Sequence, residues 1–283
     1  IINNTINSGG SSGSNYGISV SSNSIRNNIT QNRITTSGTT DNYGVLLQSS
    51  SNTTNLAYNN LTTNGTGAIN HGIYLLTNPS GNNITNNIIN ASGTQPTHGI
   101  IISNVTDSTE INIIDSNNIS TKTGANSYAL YFENANHTVV NNTDLMIPTT
   151  SSWIFTNIRN TNLSLSNTTF RNINGTINFP NLFTLNGTRD ITLALLNTTY
   201  NRSFVNSSNL TFLNTTATVR LYLPGLTAPR IILDTEDDAS YRGCVSSRCT
   251  FLQYASSVLT FNVSSWTTHA GLDNRAPNLT RVD

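Results

Sequence analysis

A short apolar phrase recurs through the first half of the chain: Tyr43-Gly44-Val45-Leu46-Leu47, His71-Gly72-Ile73-Tyr74-Leu75 and His98-Gly99-Ile100-Ile101-Ile102. Further copies are Tyr16-Gly17-Ile18 before them and Tyr128-Ala129-Leu130 after them. The five copies start at intervals of 27, 28, 27 and 30 residues. A period of this length marks a repeat architecture, so each repeat is predicted to form one coil of a solenoid.

Four ladders of apolar residues keep this period. Within each copy, apolar residues two positions apart have the alternation of a strand with one buried face. The ladders are Ile18, Val45, Ile73, Ile100 and Leu130; Val20, Leu47, Leu75, Ile102 and Phe132; Ile29, Leu56, Ile84, Ile114 and Val140; and Ile6, Ile34, Leu61, Ile88, Ile119 and Leu145. We expect at least five parallel coils within residues 1–145, with the first ladder stacked as one interior column.

A short turn between the third and fourth ladders contains Asn32, Asn59, Asn86 and Asn117. Asparagine tolerates the left-handed backbone region that a tight bend requires, and its amide can bond to its copy one coil away. Both properties suit a bend that repeats in every coil.

Coils with short strands, turn asparagines and glycine after each third strand resemble the right-handed parallel β-helix of the pectin-lyase-like superfamily. The resemblance covers about residues 1–180 and implies an all-β solenoid, but it indicates no activity because this fold carries many functions. We expect the parallel β-helix to span residues 1–214, with regular coils in 1–145 and less regular coils in 146–214.

The composition changes near residue 217, where asparagine becomes rare and arginine and aspartate increase. Strand-like segments separated by turn residues follow at 219–223, 230–233 and 258–263. They predict a small antiparallel β module over residues 215–272. Its closing stretch, residues 259–268, and the Cys244 and Cys249 loop before it resemble modules that end many β-helix surface proteins of uncultivated archaea.

The two ends of the chain suggest association. Ile1-Ile2-Asn3-Asn4 enters the coil pattern directly, and Ala276-Pro277-Asn278-Leu279-Thr280 resembles the opening strand of an immunoglobulin-like repeat. Residues 273–283 are therefore expected to be a tail strand or the start of a further domain. We expect copies of the chain, or other surface proteins, to join by coil stacking at one end and strand addition at the other.

The composition excludes several partners. Only 9% of the 283 residues are charged, 13 basic side chains balance 13 acidic ones, and asparagine, serine and threonine make up about 44%. A net charge of zero provides no field to attract nucleic acid or an anionic membrane. The longest apolar runs are far shorter than the roughly 20 residues of a bilayer span, so no membrane span is predicted in this segment.

The chain contains 22 Asn-X-Ser/Thr sequons, against about 13 expected from its composition. Turns that favour asparagine, serine and threonine could account for part of this excess. We expect N-glycans, with partial occupancy because neighbouring coils are only about 4.8 Å apart. The candidate sites are Asn28, Asn52, Asn60, Asn64, Asn83, Asn90, Asn104, Asn118, Asn136, Asn141, Asn162, Asn167, Asn174, Asn186, Asn197, Asn201, Asn206, Asn209, Asn214 and Asn262.

Cys244 and Cys249 enclose four residues in a turn-rich segment. A pair this close is either a disulfide clip or half of a metal site, and the sequence offers no second Cys/His pair. We predict the disulfide, which implies a location outside the cytoplasm.

Two histidines could be imagined as metal ligands, because stacked coils bring His71 and His98 together. Tyrosines fill the equivalent places at Tyr16, Tyr43 and Tyr128, so an aromatic stack is the preferred interpretation and no metal site is predicted.

The carboxylates do not form a complete catalytic set. Asn142-Thr143-Asp144 resembles one acidic motif of polygalacturonases, whose paired carboxylates supply general acid and base, but no partner carboxylate follows within the next coils. Asp107, Glu110 and Asp115 resemble a pectate lyase calcium cluster, with Lys122 as the one basic neighbour, although a solvated turn is the simpler interpretation. An acidic run at 234–238 has the same simple interpretation, with a cation site as its alternative.

Two classes of function fit these observations. The first is an extracellular structural glycoprotein of a cell-surface filament, sheath or adhesive assembly, without catalytic residues and with covalent N-glycans in place of cofactors. The second is a polysaccharide-binding or polysaccharide-cleaving β-helix protein. The incomplete catalytic set and the sequon density favour the first.

Overall fold

The structure is a computed structural model that describes residues 1–11, 14–39, 41–66, 69–93, 96–105, 110–122, 127–136, 138–146, 154–234 and 241–273. Its regular elements over these residues are 28 strands and one 3₁₀ turn, Thr211–Leu213. The chain forms two compact units, one from residues 1–170 and 182–193 and the other from residues 171–181 and 194–283.

The first unit is a parallel β-helix of about five turns. Each coil supplies one strand to each of three parallel walls, as the fold class predicts. The strands of the first wall are β1 (Thr5–Gly10), β4 (Arg33–Gly38), β7 (Asn60–Gly65), β10 (Ile88–Gly93), β13 (Asn118–Lys122) and β16 (Asp144–Met146). Those of the second are β2 (Asn15–Val20), β5 (Asn42–Gln48), β8 (Asn70–Leu76), β11 (Thr97–Val105) and β14 (Tyr128–Ala135). Those of the third are β3 (Asn28–Thr30), β6 (Asn55–Ala57), β9 (Asn83–Thr85), β12 (Asn112–Asp115) and β15 (Thr138–Asn141).

The predicted interior column is confirmed. Ile18, Val45, Ile73, Ile100 and Leu130 are in direct register along β2, β5, β8, β11 and β14, and all five are buried. The second and third ladders are likewise in register.

The prediction is wrong for one member of the fourth ladder. Ile89 pairs with Leu61 and Ile119 in the interior, whereas Ile88 pairs with Asn60 and is about half exposed. Adjacent strand residues point to opposite faces, so an error of one residue moves the predicted side chain from the core to solvent.

The regular coils end at β17 (Ile154–Ser166), whose two halves continue the second wall beside β14 and the third beside β15. The next long strand of this unit, β20 (Phe183–Thr192), runs antiparallel to β17, and β18 (Thr168–Asn172) lies between them in the chain. The structure therefore differs from the expectation of further coils up to residue 214, because β20 runs in the opposite direction along both halves of β17 and so ends the second and third walls.

The second unit contains antiparallel strands in two groups. In the first group, β19 (Gly175–Phe179), β23 (Ala217–Tyr222), β27 (Val258–Val263) and β26 (Cys249–Ala255) pair in that order. The second group has the order β21 (Leu196–Thr199), β22 (Arg202–Val205), β28 (Thr268–Asp273), β24 (Pro229–Asp234) and β25 (Arg242–Gly243). Antiparallel structure is predicted from residue 215, and in this unit the structure extends it back to β19.

Candidate functional site

Asparagine has two separate environments in the solenoid, and the first is an amide ladder that is buried except at its first member, Asn4. Nδ2 donates to Oδ1 one coil further on from Asn4 to Asn32, from Asn32 to Asn59, from Asn59 to Asn87 and from Asn87 to Asn117, over 3.0–3.2 Å. Each of these oxygens also accepts a hydrogen bond from the backbone N–H of the same donor asparagine, at 2.9 Å. The ladder thus holds five successive coils at a fixed spacing. Each inner member uses both its amide N–H and its amide oxygen in these hydrogen bonds.

The turn prediction needs a correction at this ladder. Asn86 was grouped with Asn32, Asn59 and Asn117, but Asn87 is the ladder member. The left-handed residue of each bend is the one just before the ladder, and these residues are Gln31, Tyr58, Asn86 and Ser116. The sequence predicts the amide hydrogen bond and the left-handed backbone at one residue of the bend. In the structure they belong to two consecutive residues.

Two shorter amide ladders occupy other corners of the coils. Asn15 donates to Asn42 at 3.1 Å and Asn42 to Asn70 at 2.7 Å. Asn82 donates to Asn112 at 3.1 Å. All of these side chains are buried.

Sequon asparagines make up the second environment. Nine asparagines are buried among the residues whose side chains the structure describes: Asn15, Asn32, Asn42, Asn59, Asn70, Asn82, Asn87, Asn112 and Asn117. None of them begins a sequon. Every sequon asparagine whose side chain the structure describes is intermediate or exposed. The side chain of Asn162 lies outside the description. The asparagines used in buried ladders and those available for modification are therefore different residues.

At two positions on the solenoid walls, sequon asparagines in register are two coils apart, and the residue between them begins no sequon. Asn28 and Asn83 flank Asn55 in the third wall, and Asn60 and Asn118 flank Ile88 in the first. Alternate coils are about 9.6 Å apart, twice the spacing of adjacent strands. In the antiparallel region Asn162 is instead the direct cross-strand partner of Asn186.

An aromatic column follows the second wall. The rings of Tyr16, Tyr43, His71, His98 and Tyr128 stack with centroids 4.7–5.3 Å apart and planes within 15° of parallel. The stack predicted from the repeat is thus present. Each of its three middle rings has both faces covered by neighbours, so these faces are not available for stacking on a sugar ring.

Both histidines of the column are held neutral. Burial lowers the pKa of His71 well below its usual value, with a further contribution from neighbouring His98. Burial likewise lowers the pKa of His98 to about 3. The Nδ1 atom of His98 accepts the backbone N–H of Tyr128 at 3.2 Å, which requires an unprotonated nitrogen at that position.

The carboxylates singled out in the sequence lie at separate places. Asp115 Oδ1 accepts from Asn142 at 2.7 Å and its Oδ2 accepts from the Ser116 hydroxyl at 2.8 Å, as in a hydrogen-bonded surface turn. Asp144 begins β16, in register with Asn118. Asp107 and residues 236–238 lie outside the described residues, as does the tail at 274–283.

The structure places Cys244 and Cys249 as a disulfide with their Cα atoms 5.9 Å apart. It also brings His269 to this pair, so that one nitrogen of its ring and both sulfur atoms lie within 4.8 Å of one another. Sequence reasoning missed this histidine, because it lies 20 residues beyond Cys249 with no motif spacing to connect them.

We compared the chain with known protein families, curated proteins and solved structures. No protein-family model, curated protein or solved structure matches the chain. Within the described ranges, no helix has the length and apolar character needed to cross a membrane.

Proposed function

We propose that this chain is an extracellular structural glycoprotein, a solenoid segment of a cell-surface filament, sheath or adhesive assembly that carries N-glycans on its walls. The observation that carries the proposal is the division of asparagines between buried ladders without sequons and accessible positions with them. If turns alone accounted for the sequons, buried ladder asparagines should begin them as often as accessible ones do.

The construction of the coils supports a mechanical role. Each coil contacts its neighbours through the same apolar columns and amide ladders, so stability accumulates along the solenoid as it does in other repeat proteins. A chain with so few charges also benefits from glycans as a source of solubility. Secretion, which glycosylation and the Cys244–Cys249 disulfide require, follows from the same proposal.

The proposal includes a relationship between this chain and two groups of β-helix proteins. The coil period and turn asparagines support kinship with right-handed β-helices of the pectin-lyase-like type. The Cys244 and Cys249 loop, with residues 259–268 after it, supports kinship with archaeal β-helix surface proteins.

If this proposal is correct, the partners of the chain are copies of itself or other surface proteins. Strand β26 is the last strand of its antiparallel group, and Phe251 and Leu252 on it are about half exposed. An edge strand with exposed apolar side chains supports association by strand addition.

Glycopeptide mapping of the protein from its natural source tests the proposal. We expect modified asparagine at several sequons, including Asn60 and Asn118, and an intact mass well above 30.6 kDa. Unmodified asparagine at every mapped sequon would refute the glycoprotein assignment. Release of new sugar ends from an acidic polysaccharide by the purified chain would favour the enzymatic alternative.

A further inference from the structure

Three elements of the second unit converge on the two cysteines. Strand β28 pairs with β24, so that His269 lies opposite Leu233, and the backbone N–H of Cys244 donates to the carbonyl of Ile231 in β24 at 3.1 Å. Cys249 begins β26 and is buried, while Cys244 is partly exposed. The cysteines and the histidine are therefore held by paired strands.

The hydrogen bonding of His269 leaves one ring nitrogen open. Its Nδ1 lies 3.2 Å from the carbonyl oxygen of Thr267, which can only accept, so we assign the proton to Nδ1. Its Nε2 then has an unshared electron pair, is fully buried and has no hydrogen-bond partner among the described residues. A buried acceptor without a donor is rare in folded proteins and indicates a missing partner.

This arrangement matches the donor set of a thiophilic cation. Metal-binding histidines commonly donate their second N–H to a backbone carbonyl, as His269 does to Thr267. Zinc bonds to thiolate and imidazole are about 2.3 and 2.0 Å long, so its ligand atoms lie roughly 3.5–4 Å apart. One ring nitrogen and both sulfur atoms lie within 4.8 Å of one another. The sulfur atoms are about 2 Å apart in a disulfide, so after reduction they would have to separate by about 1.7 Å to complete the set.

The charges are consistent with such a cation. Burial, with a smaller contribution from the Arg248 guanidinium, lowers the pKa of His269 to about 4, so the imidazole is neutral at pH 7. Two thiolates would neutralise a divalent ion despite the positive charge of Arg248.

We propose that the reduced form of the chain binds one zinc-like cation through Cys244, Cys249 and His269, with solvent as the fourth ligand. Two molecules of a small-molecule thiol supply two electrons and two protons, convert the protein disulfide to two thiols through a mixed disulfide, and are themselves joined as a disulfide. Binding of the cation to both sulfurs then releases two protons to solvent. The same two cysteines form a clip when oxidised and a metal site when reduced.

The test uses the full chain, reduced with a trialkylphosphine, desalted and titrated with Co²⁺ and then Zn²⁺. We expect one equivalent of Co²⁺ with thiolate-to-cobalt absorption, and its displacement by Zn²⁺. X-ray absorption of the zinc form should give two sulfur ligands and at least one nitrogen ligand. His269→Gln should weaken binding at least tenfold, whereas His98→Gln, a buried histidine of the other unit, should leave it unchanged.

Several outcomes would overturn the proposal. They are a reduced wild-type chain that keeps its β-type circular dichroism without binding Co²⁺, or a reduced chain that unfolds and does not refold with Zn²⁺. Equal affinity in His269→Gln, or a zinc spectrum without sulfur ligands, would do the same. The first outcome would instead assign Nε2 as the acceptor of a cysteine S–H.

Discussion

Asn59 and Asn60 are neighbours in the chain with opposite environments. Asn59 is buried, accepts two hydrogen bonds from Asn32 and donates to Asn87. Asn60 is exposed on the first wall and begins a sequon. The chemistry of the side chain is identical, so its position on the coil alone decides whether it supports the fold or is available for a glycan.

This pair provides a matched test of the amide ladder. We expect Asn59→Ala to lower the free energy of unfolding by about 2–4 kcal/mol, because it leaves several buried donors and acceptors unpaired. Asn60→Ala should change it by less than about 0.5 kcal/mol. Urea denaturation of unglycosylated protein measures both. Equal effects of the two substitutions would show that the ladder does not stabilise the solenoid.

The buried histidines predict how stability depends on pH. The folded-state pKa of His98 is about 3, below the value of about 6.5 for an unfolded chain, so the unfolded chain binds the extra proton between these values. Stability is therefore constant with respect to this group above pH 6.5. It falls by about 1.4 kcal/mol for each pH unit from 6.5 down towards 3.

His98→Tyr tests this assignment, because tyrosines occupy equivalent places in the same column. Its unfolding free energy should fall less steeply than that of the wild type between pH 6.5 and 4, with the difference vanishing above pH 7. Chemical denaturation at several pH values measures the slopes. Parallel slopes would mean that His98 is already protonated in the folded protein.

At the scale of the strands, the glycine in the repeated phrase is required by close packing. A Cβ added at Gly72 would lie 2.6 Å from the carbonyl oxygen of Gly99 and would also meet the side chain of Ile89. We expect Gly72→Ala to destabilise the solenoid by about 1–3 kcal/mol through overpacking. Gly243→Ala is the control, because a Cβ there has no atom within 4 Å. A thermal denaturation midpoint for Gly72→Ala equal to that of the control would contradict this account.

The strands also show why the sequence predicted most of the solenoid. Interior columns repeat in every coil, so each is supported by five or six residues and errors are averaged out. The errors fell in one coil, at Ile88 for Ile89 and at Asn86 for Asn87, where a doubled asparagine precedes a doubled isoleucine. Two identical neighbours give the pattern no means of choosing which one faces inward.

At the scale of the whole molecule, contacts between distant segments were not predictable in the same way. The Cys244, Cys249 and His269 cluster depends on the pairing of β24 with β28, and residues 194–205 belong to the second unit because β22 pairs with β28. No period connects these segments in the sequence. Pairing between antiparallel strands that are far apart in the chain depends on packing rather than on a repeated spacing.

Glycan occupancy over the whole surface follows from strand register. Asn28 and Asn83 are two coils apart, about 9.6 Å, which leaves room for a glycan on each. Asn162 and Asn186 are direct partners in an antiparallel pair, where Cα atoms are only about 4.5–5.5 Å apart. We therefore expect molecules glycosylated at both Asn28 and Asn83, but few glycosylated at both Asn162 and Asn186.

Single substitutions separate these two cases in an N-glycosylating secretory host. Asn186→Gln should raise the occupancy of Asn162, because it removes the competing glycan, whereas Asn28→Gln should leave the occupancy of Asn83 unchanged. Quantitative glycopeptide mass spectrometry measures all four sites in each variant. If occupancy at Asn162 is indifferent to Asn186, or if Asn83 responds to Asn28 as strongly, then glycan placement is not governed by the strand register that the solenoid imposes.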